Sequence, residues 1–310
     1  MYDSSKPYKE SVLDIIQETW NTPYVSVSKG VYPVITKKFS LSEVDHTDGI
    51  GTKGVYHWRQ RTFRSAVLDA LAMNLNDLAL VRAIPYKLQN HIFIPEDNRD
   101  AIYEIVQALV QECKVRNIAI TGGETSIHNN VDGLDISITM SGFVEQPKTN
   151  MFEVGDIVFG LKSNGLHSNG FTKIREVFGE VYREEFVVPT KIYLDEITSL
   201  NKTLEIHGMM HITGGAFTKP KDLLQDGDLW VRHSEELKPQ QIFYDIHAKG
   251  VSDEEMYRTF NCGIGFIFSV SKSDAEKIPS SLETYEIGKI VSGTRKVVLE
   301  SAFTNQRIEL

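Results

Sequence analysis

A chain of 310 residues with 41% hydrophobic residues is long enough to bury a sizeable core and, by length, points to two domains rather than one. Its formal net charge of −9 excludes a bulk nucleic-acid binder, which displays a basic face, so an anionic ligand has to be held locally by metal ions, backbone amides or a few placed cations. Cys113 and Cys262 form no CxxC or zinc-type spacing, the N-terminal MYDSSKPYKE has no apolar signal core, and no apolar run approaches bilayer length; a disulfide framework, a structural zinc and a membrane span are set aside, and a soluble protein in a reducing cytoplasm is expected.

Helical and strand patterns alternate along the chain with no fixed-period repeat, which predicts an α/β or α+β fold. The first segment that carries chemistry is VDHTDGIGTKG, Val44 to Gly54. Its glycines let backbone amides approach a phosphate, and Asp48 sits directly before them. Gly49, Gly51 and Gly54 match GxGxxG, but a dinucleotide site would not set an aspartate against a pyrophosphate without a cation between them. Asp48 therefore points to Mg²⁺, with an ordinary DG surface turn as the equally weighted alternative.

Residues 64–81 read as an apolar helix, interrupted by Asn76 and Asp77. A buried carboxylate in such a setting needs a metal or a partner, the competing reading being that Asp77 lies on an exposed stripe or pairs with an arginine such as Arg82. An amphipathic helix is expected over 98–114, then a short strand ending at Ile120 and a glycine turn at Gly122 and Gly123 that presents Glu124. Asp48, Asp77 and Glu124 together supply three hard oxygen ligands suited to Mg²⁺ on nucleotide phosphates. The alternation of Ile136, Ile138 and Met140 predicts a half-buried strand over 135–144.

The stretch 145–155, with Pro147, is the expected linker, giving domains 1–147 and 148–310. Beyond it IVFGL opens a second unit. GLHSNGF places Ser168 and Asn169 as helix caps with His167 just outside, and HITGGAF repeats the design with His211, Thr213, Gly214 and Gly215. A hydrogen-bonded structural histidine is the competing reading for each ring. Helices are expected near 168–178 and 189–205, and strands near 266–270 and 285–291. In EEMYRTFNCGIGFIFSV, Arg258 is a candidate for fixing a phosphate or a domain interface, and Cys262 reads as a packed residue without a base.

These segments, in this order, resemble aminoimidazole ribonucleotide synthetase, phosphoribosylformylglycinamidine cyclo-ligase, from about Asp45 to the C-terminus. TDGIGTK, NDL and GGE are shared with a wider ATP-using superfamily, whereas GLHSNGF, PTKIYLDEI, HITGGAF and MYRTFNCGIG are specific to the cyclo-ligase pattern. The resemblance implies a two-domain α/β protein, a homodimer paired through the N-terminal sheet, and ATP with Mg²⁺ as cofactors. The implied substrate is formylglycinamidine ribonucleotide, with no nucleic-acid or membrane partner. It also implies that Asp48, Asp77 and Glu124 hold Mg²⁺ and that Gly49, Gly51, Thr52, Lys53, Gly122 and Gly123 line the ATP phosphates. Substrate would meet His167, Ser168, Asn169, His211, Thr213, Gly214, Gly215 and Arg258, with Lys53, His167 and His211 as the catalytic residues.

Three stretches depart from that pattern. The glycine- and phenylalanine-rich loop before TDGxGTK is replaced by TPYVSVSKGVYPVITKKFS, Asn90 stands where an aspartate is usual, and SIHNNVDG follows GGET. The rival expectations are another ATP-dependent enzyme of the same superfamily and a non-catalytic nucleotide-binding paralogue.

Overall fold

The computed structural model describes residues 8–278 and 283–310, so the polar segment at the extreme N-terminus lies outside the described residues. The chain divides into two compact units, Met1–Leu78 with Arg82–Gln146, and Ala79–Val81 with Pro147–Leu310. Among the described residues, no helix is long and apolar enough to cross a membrane.

The first unit contains α1 (Tyr8–Gln17), α2 (Gly54–Gln60), α3 (Phe63–Leu80) and α4 (Arg99–Val115), with strands β1 (Val25–Ser28), β2 (Val34–Lys37), β3 (Ser42–Gly49), β4 (Ile84–Ile94), β5 (Ala119–Ile127) and β6 (Asp135–Val144). Helix α4 starts where Asn98 accepts a bond from the Ala101 amide at 3.1 Å, an N-cap that satisfies one orphan donor. It is the crossover between β4 and β5, which pair in parallel. The main sheet runs β3-β6-β4-β5. One face is apolar: Met140, Leu88 and Ile120 are buried along a single row, and α3 lies over it, because His46 of β3 contacts Asn74 and Asp77.

The other face is divided. At one end the β1-β2 hairpin packs Val25 onto Tyr86, Ala119 and Phe143, so residues 25–37 form a hairpin seated on the sheet. At the other end Gln89, His91, Glu124, Ser137 and Thr139 line a polar groove of about 530 Å³ with Tyr32 and Pro33.

The second unit is a seven-stranded sheet in the order β13-β12-β9-β11-β7-β10-β8. Its strands are β7 (Ile157–Lys162), β8 (Ile206–His211), β9 (Gly227–Arg232), β10 (Ile264–Val270), β11 (Thr284–Ser292), β12 (Val297–Glu300) and β13 (Arg307–Glu309). Its helices are α5 (Phe171–Phe178), α6 (Leu194–Asn201), α7 (Gln241–Ala248), α8 (Asp253–Thr259) and α9 (Lys272–Ala275). Every residue of β10 is buried, which is why IGFIFSV reads as an unbroken apolar run rather than an alternating one.

Two local expectations are corrected. Gly122 and Gly123 do not make a turn after a strand ending at Ile120; β5 continues through them to Ile127. Here glycine is required for close approach, since a Cβ at Gly123 would lie 2.6 Å from Asn90 Oδ1. Ser168 and Asn169 do not cap a helix either. The cap of α5 is Gly170 at φ 77°, a left-handed conformation glycine adopts freely.

Candidate functional site

In the first unit Asp48 is the last residue but one of β3 and is half-buried, its Oδ1 accepting a bond from the Gly49 amide at 2.7 Å. Two residues earlier on the same face, His46 places Nδ1 3.1 Å from Asn74 Oδ1 and Nε2 3.3 Å from Asp77 Oδ2. Asn74 also donates to the Asp48 carbonyl at 3.2 Å. The structure thus gathers Asp48 and Asp77 about one imidazole, whose pKa is raised mainly by its bond to Asp77, against desolvation, with Asn74 and the charges of Asp77 and Asp48 assisting. His46 is the partner that sequence reading of Asp77 lacked; its place two residues before Asp48 on a strand was the available signal.

Glu124 is not part of this group. Cross-strand pairing aligns Asp48 with Ile138, Asn90 and Gly123, and aligns Gly49 with Ser137, His91 and Glu124. Directly paired residues share a face and successive residues alternate, so Glu124 faces the polar groove while Asp48 faces α3. The polar residue of that row, on the face of Asp48, is Asn90.

Lys53 is likewise corrected. It closes the short helical turn Gly51–Lys53 with its side chain wholly buried, and its ammonium lies 2.8 Å from Asp69 Oδ2. His57 Nε2 meets the same oxygen at 2.8 Å and its Nδ1 meets Thr62 Oγ1 at 2.8 Å. Burial alone would push the Asp69 carboxyl up, but the Lys53 charge and the His57 bond outweigh it and hold it well below the usual carboxylate range. Burial also drives the Lys53 and His57 pKa values down, with Asp69 opposing. Lys53 therefore anchors the turn from within, while Gly51, at φ 55°, and Thr52 remain exposed on it.

In the second unit four segments converge. Asn261 Nδ2 donates to the Gly165 carbonyl at 2.8 Å, and the Ile212 amide donates to the Gly265 carbonyl at 2.9 Å. Asn169 Nδ2 donates to Thr213 Oγ1, while Ser168 Oγ lies 2.9 Å from Thr190 Oγ1. His167 and His211 are buried beneath, their rings 6.3 Å apart. Left-handed backbone recurs at non-glycine residues His167 (φ 60°), Ala216 (φ 40°) and Cys262 (φ 46°). Each costs on the order of 1–3 kcal/mol, and strain held in this way clusters at binding sites.

His167, Ser168, Asn169, His211, Thr213 and Gly214 thus form one group, a Cβ at Gly214 falling 3.1 Å from Asn169 Oδ1, and Gly215 caps the adjoining turn at φ 80°. Arg258 stands apart on the exposed face of α8, its Nε 2.9 Å from Glu254 Oε1. Cys262 is packed as expected, burial pushing its thiol well up. Thr190 and Tyr193, from PTKIYLDEI, adjoin this group and carried no role in the reading of the sequence.

Solved structures with this architecture include the hydrogenase maturation protein HypE in complex with ATP, with a TM-score of 0.69 at 14% identity over 99% of this chain and 95% of that one. Thiamine-monophosphate kinase from Stenotrophomonas maltophilia K279a gives 0.66 at 15%, over 96% and 97%. At such identities the likeness speaks for the fold alone. The sequence goes further: residues 38–144 match the N-terminal domain, and residues 153–300 the C-terminal domain, of AIR synthase related protein, and the chain belongs to that family. Within it, the phosphoribosylformylglycinamidine cyclo-ligase of Saccharolobus solfataricus is 34% identical over 298 residues, 92% of this chain and 90% of the relative. The enzymes of that name from Methanococcus vannielii and Pyrococcus horikoshii are each 34% identical, over 80% and 82% of this chain.

Proposed function

We propose that this chain closes the imidazole ring of aminoimidazole ribonucleotide from formylglycinamidine ribonucleotide, converting ATP to ADP and phosphate. The observation that carries the reading is the match to cyclo-ligases at 34% identity across 92% of the chain. ATP phosphorylates the formyl amide oxygen, turning it into a phosphate leaving group; the amidine nitrogen attacks that carbon, the ring closes and phosphate departs. A family of this kind also accounts for a soluble cytoplasmic enzyme and for a homodimer, for which the polar face of the four-stranded sheet is the surface we favour.

Mg²⁺ would be held by Asp48 and Asp77, hard-oxygen donors that both act on the His46 imidazole at one end of β3. When bound, the ion would neutralise charge on the nucleotide phosphates. Gly51 and Thr52, exposed on the turn that Lys53 anchors, would offer backbone amides and a hydroxyl to the same phosphates. The strained loops of the second unit would hold the substrate through neutral donors and exclude water from it.

A second reading, a nucleotide-binding paralogue without turnover, is favoured by Asn90, which leaves the row of Asp48 one carboxylate short of the family pattern. Incubating the purified protein with Mg-ATP and formylglycinamidine ribonucleotide separates the two. Substrate-dependent appearance of aminoimidazole ribonucleotide supports the cyclo-ligase; bound but uncleaved ATP supports the paralogue.

A further inference from the structure

The second unit carries a groove of about 720 Å³ that takes no residue from the loop cluster; it lies over β9, β11, β12 and β13. Strand register fixes which side chains share it. Trp230 pairs with Lys289 of β11 and with Val298 of β12, Arg232 pairs with Glu300, and Glu300 with Arg307 of β13. Directly paired residues project from one face. Trp230 is 40% exposed, whereas the chain's other tryptophans, Trp20 and Trp58, are each 8% exposed. The Arg307 guanidinium lies 4.8 Å from the Trp230 ring centre, so indole and guanidinium together present a flat cationic platform. Charge around it is unevenly paired. Arg232 Nε meets Glu300 Oε1 at 3.7 Å, and Glu235 is taken by Lys238. Among the described residues, Lys289 and Arg307 have no ion-pair partner, so two cations flank the indole against one unpaired carboxylate, Glu286. His233 is closed to a ligand, its Nδ1 lying 2.9 Å from the Leu237 carbonyl and its Nε2 3.0 Å from Tyr257 Oη. Ser234 Oγ, next to it, has no hydrogen-bond partner among the described residues.

We propose that this groove is a second nucleotide site, which takes a nucleoside monophosphate with its base stacked on the Trp230–Arg307 platform and its phosphate beside Lys289. Stacking on an indole selects a planar ring and tolerates any base. The two unpaired cations select an anion, and in a chain of net charge −9 cations left without partners are where an anion is attracted. Glu286 accepts from the sugar hydroxyls, a task suited to a carboxylate. The same carboxylate, with Glu300 beside it, disfavours a triphosphate or a nucleic-acid strand, whose further charges would be set against two acids. A neutral aromatic ligand would leave the cations unused, and an aliphatic anion would leave the indole unused. None of these side chains belongs to the segments 165–170, 190–193, 211–215 or 261–265, so the assignment does not depend on the ring-closing reading.

The test uses the full-length protein saturated with Mg²⁺ and a non-hydrolysable ATP analogue, to which adenosine 5′-monophosphate (AMP) is added. Binding is followed by calorimetry and by quenching of tryptophan emission, to which the exposed Trp230 is the accessible contributor. Wild type is expected to bind AMP with quenching. Trp230→Ala should weaken binding roughly tenfold or more and remove the quenching, while Trp230→Phe, which keeps a stacking ring, should retain most of the affinity. Lys289→Met should weaken AMP roughly three- to tenfold and leave the binding of adenosine, which lacks the phosphate, unchanged. Turnover measured without AMP should stay near wild type in all three variants. AMP that fails to bind the saturated wild type, or whose affinity is indifferent to Trp230→Ala, overturns the site. Adenosine weakened by Lys289→Met as much as AMP overturns the placement of the phosphate. AMP binding that behaves as expected in a protein that forms no imidazole product would overturn the cyclo-ligase reading and leave this site standing.

Discussion

At the residue scale, burial decides what each charged group can do. Asp77 was legible because a carboxylate in LAMNLNDLALV needs a partner, and the structure supplies His46 at 3.3 Å. Lys53 was misread because sequence reveals neither that its side chain turns inward nor that Asp69, sixteen residues on, waits for it in α3. Asp77→Asn is expected to weaken Mg-ATP binding roughly ten- to a hundredfold, measured by calorimetry with Mg²⁺ and a non-hydrolysable ATP analogue; unchanged affinity would remove Asp77 from the metal site. Asp69→Asn leaves the Lys53 charge buried without its counter-ion and is expected to cost about 3–5 kcal/mol in denaturant unfolding. The sign with pH follows from the depressed Asp69 pKa. Its stabilising contribution is present in full above the unfolded value of about 3.9 and is lost as pH falls through the lower folded value. The stability gap between wild type and Asp69→Asn should therefore narrow in acid.

At the element scale, the long helices and the alternating strand were readable, because periodicity over ten or more residues records which face is buried. Helix α3 spans Phe63–Leu80 and β6 spans Asp135–Val144, beside expectations of 64–81 and 135–144. What alternation could not give was the face of Glu124. Counted from the buried Ile120, Glu124 belongs with the face of Asp48, but pairing slips between Leu88 and Gln89 so that Thr121 is an extra residue, and each later side chain of β5 changes side. A bulge of one residue leaves no mark in composition or spacing. Glu124→Gln is accordingly expected to change Mg-ATP affinity less than about twofold, far less than Asp77→Asn. Asn90→Asp, which adds a carboxylate to the row of Asp48, should lower the Mg²⁺ concentration that gives half-maximal ATP binding. The opposite ranking of Glu124→Gln and Asp77→Asn would contradict the register argument.

At the scale of the whole molecule, the chain divides into two units near residue 146, and the family was legible because its specific segments spread across both units. The convergence of 165–170, 190–193, 211–215 and 261–265 into one loop cluster was not, since it depends on contacts between strands distant in sequence. A homodimer paired through the polar sheet face should sediment at twice the 35.1 kDa chain mass, and a charged substitution in the groove, Thr139→Lys, should return it to a monomer; a wild-type monomer would exclude this pairing. The central claim is ring closure driven by ATP. It is tested most directly by quantifying ADP and aminoimidazole ribonucleotide together during turnover with Mg-ATP and formylglycinamidine ribonucleotide. The account predicts that the two products appear one for one and only when both substrates are present, and ADP released without the imidazole would contradict it.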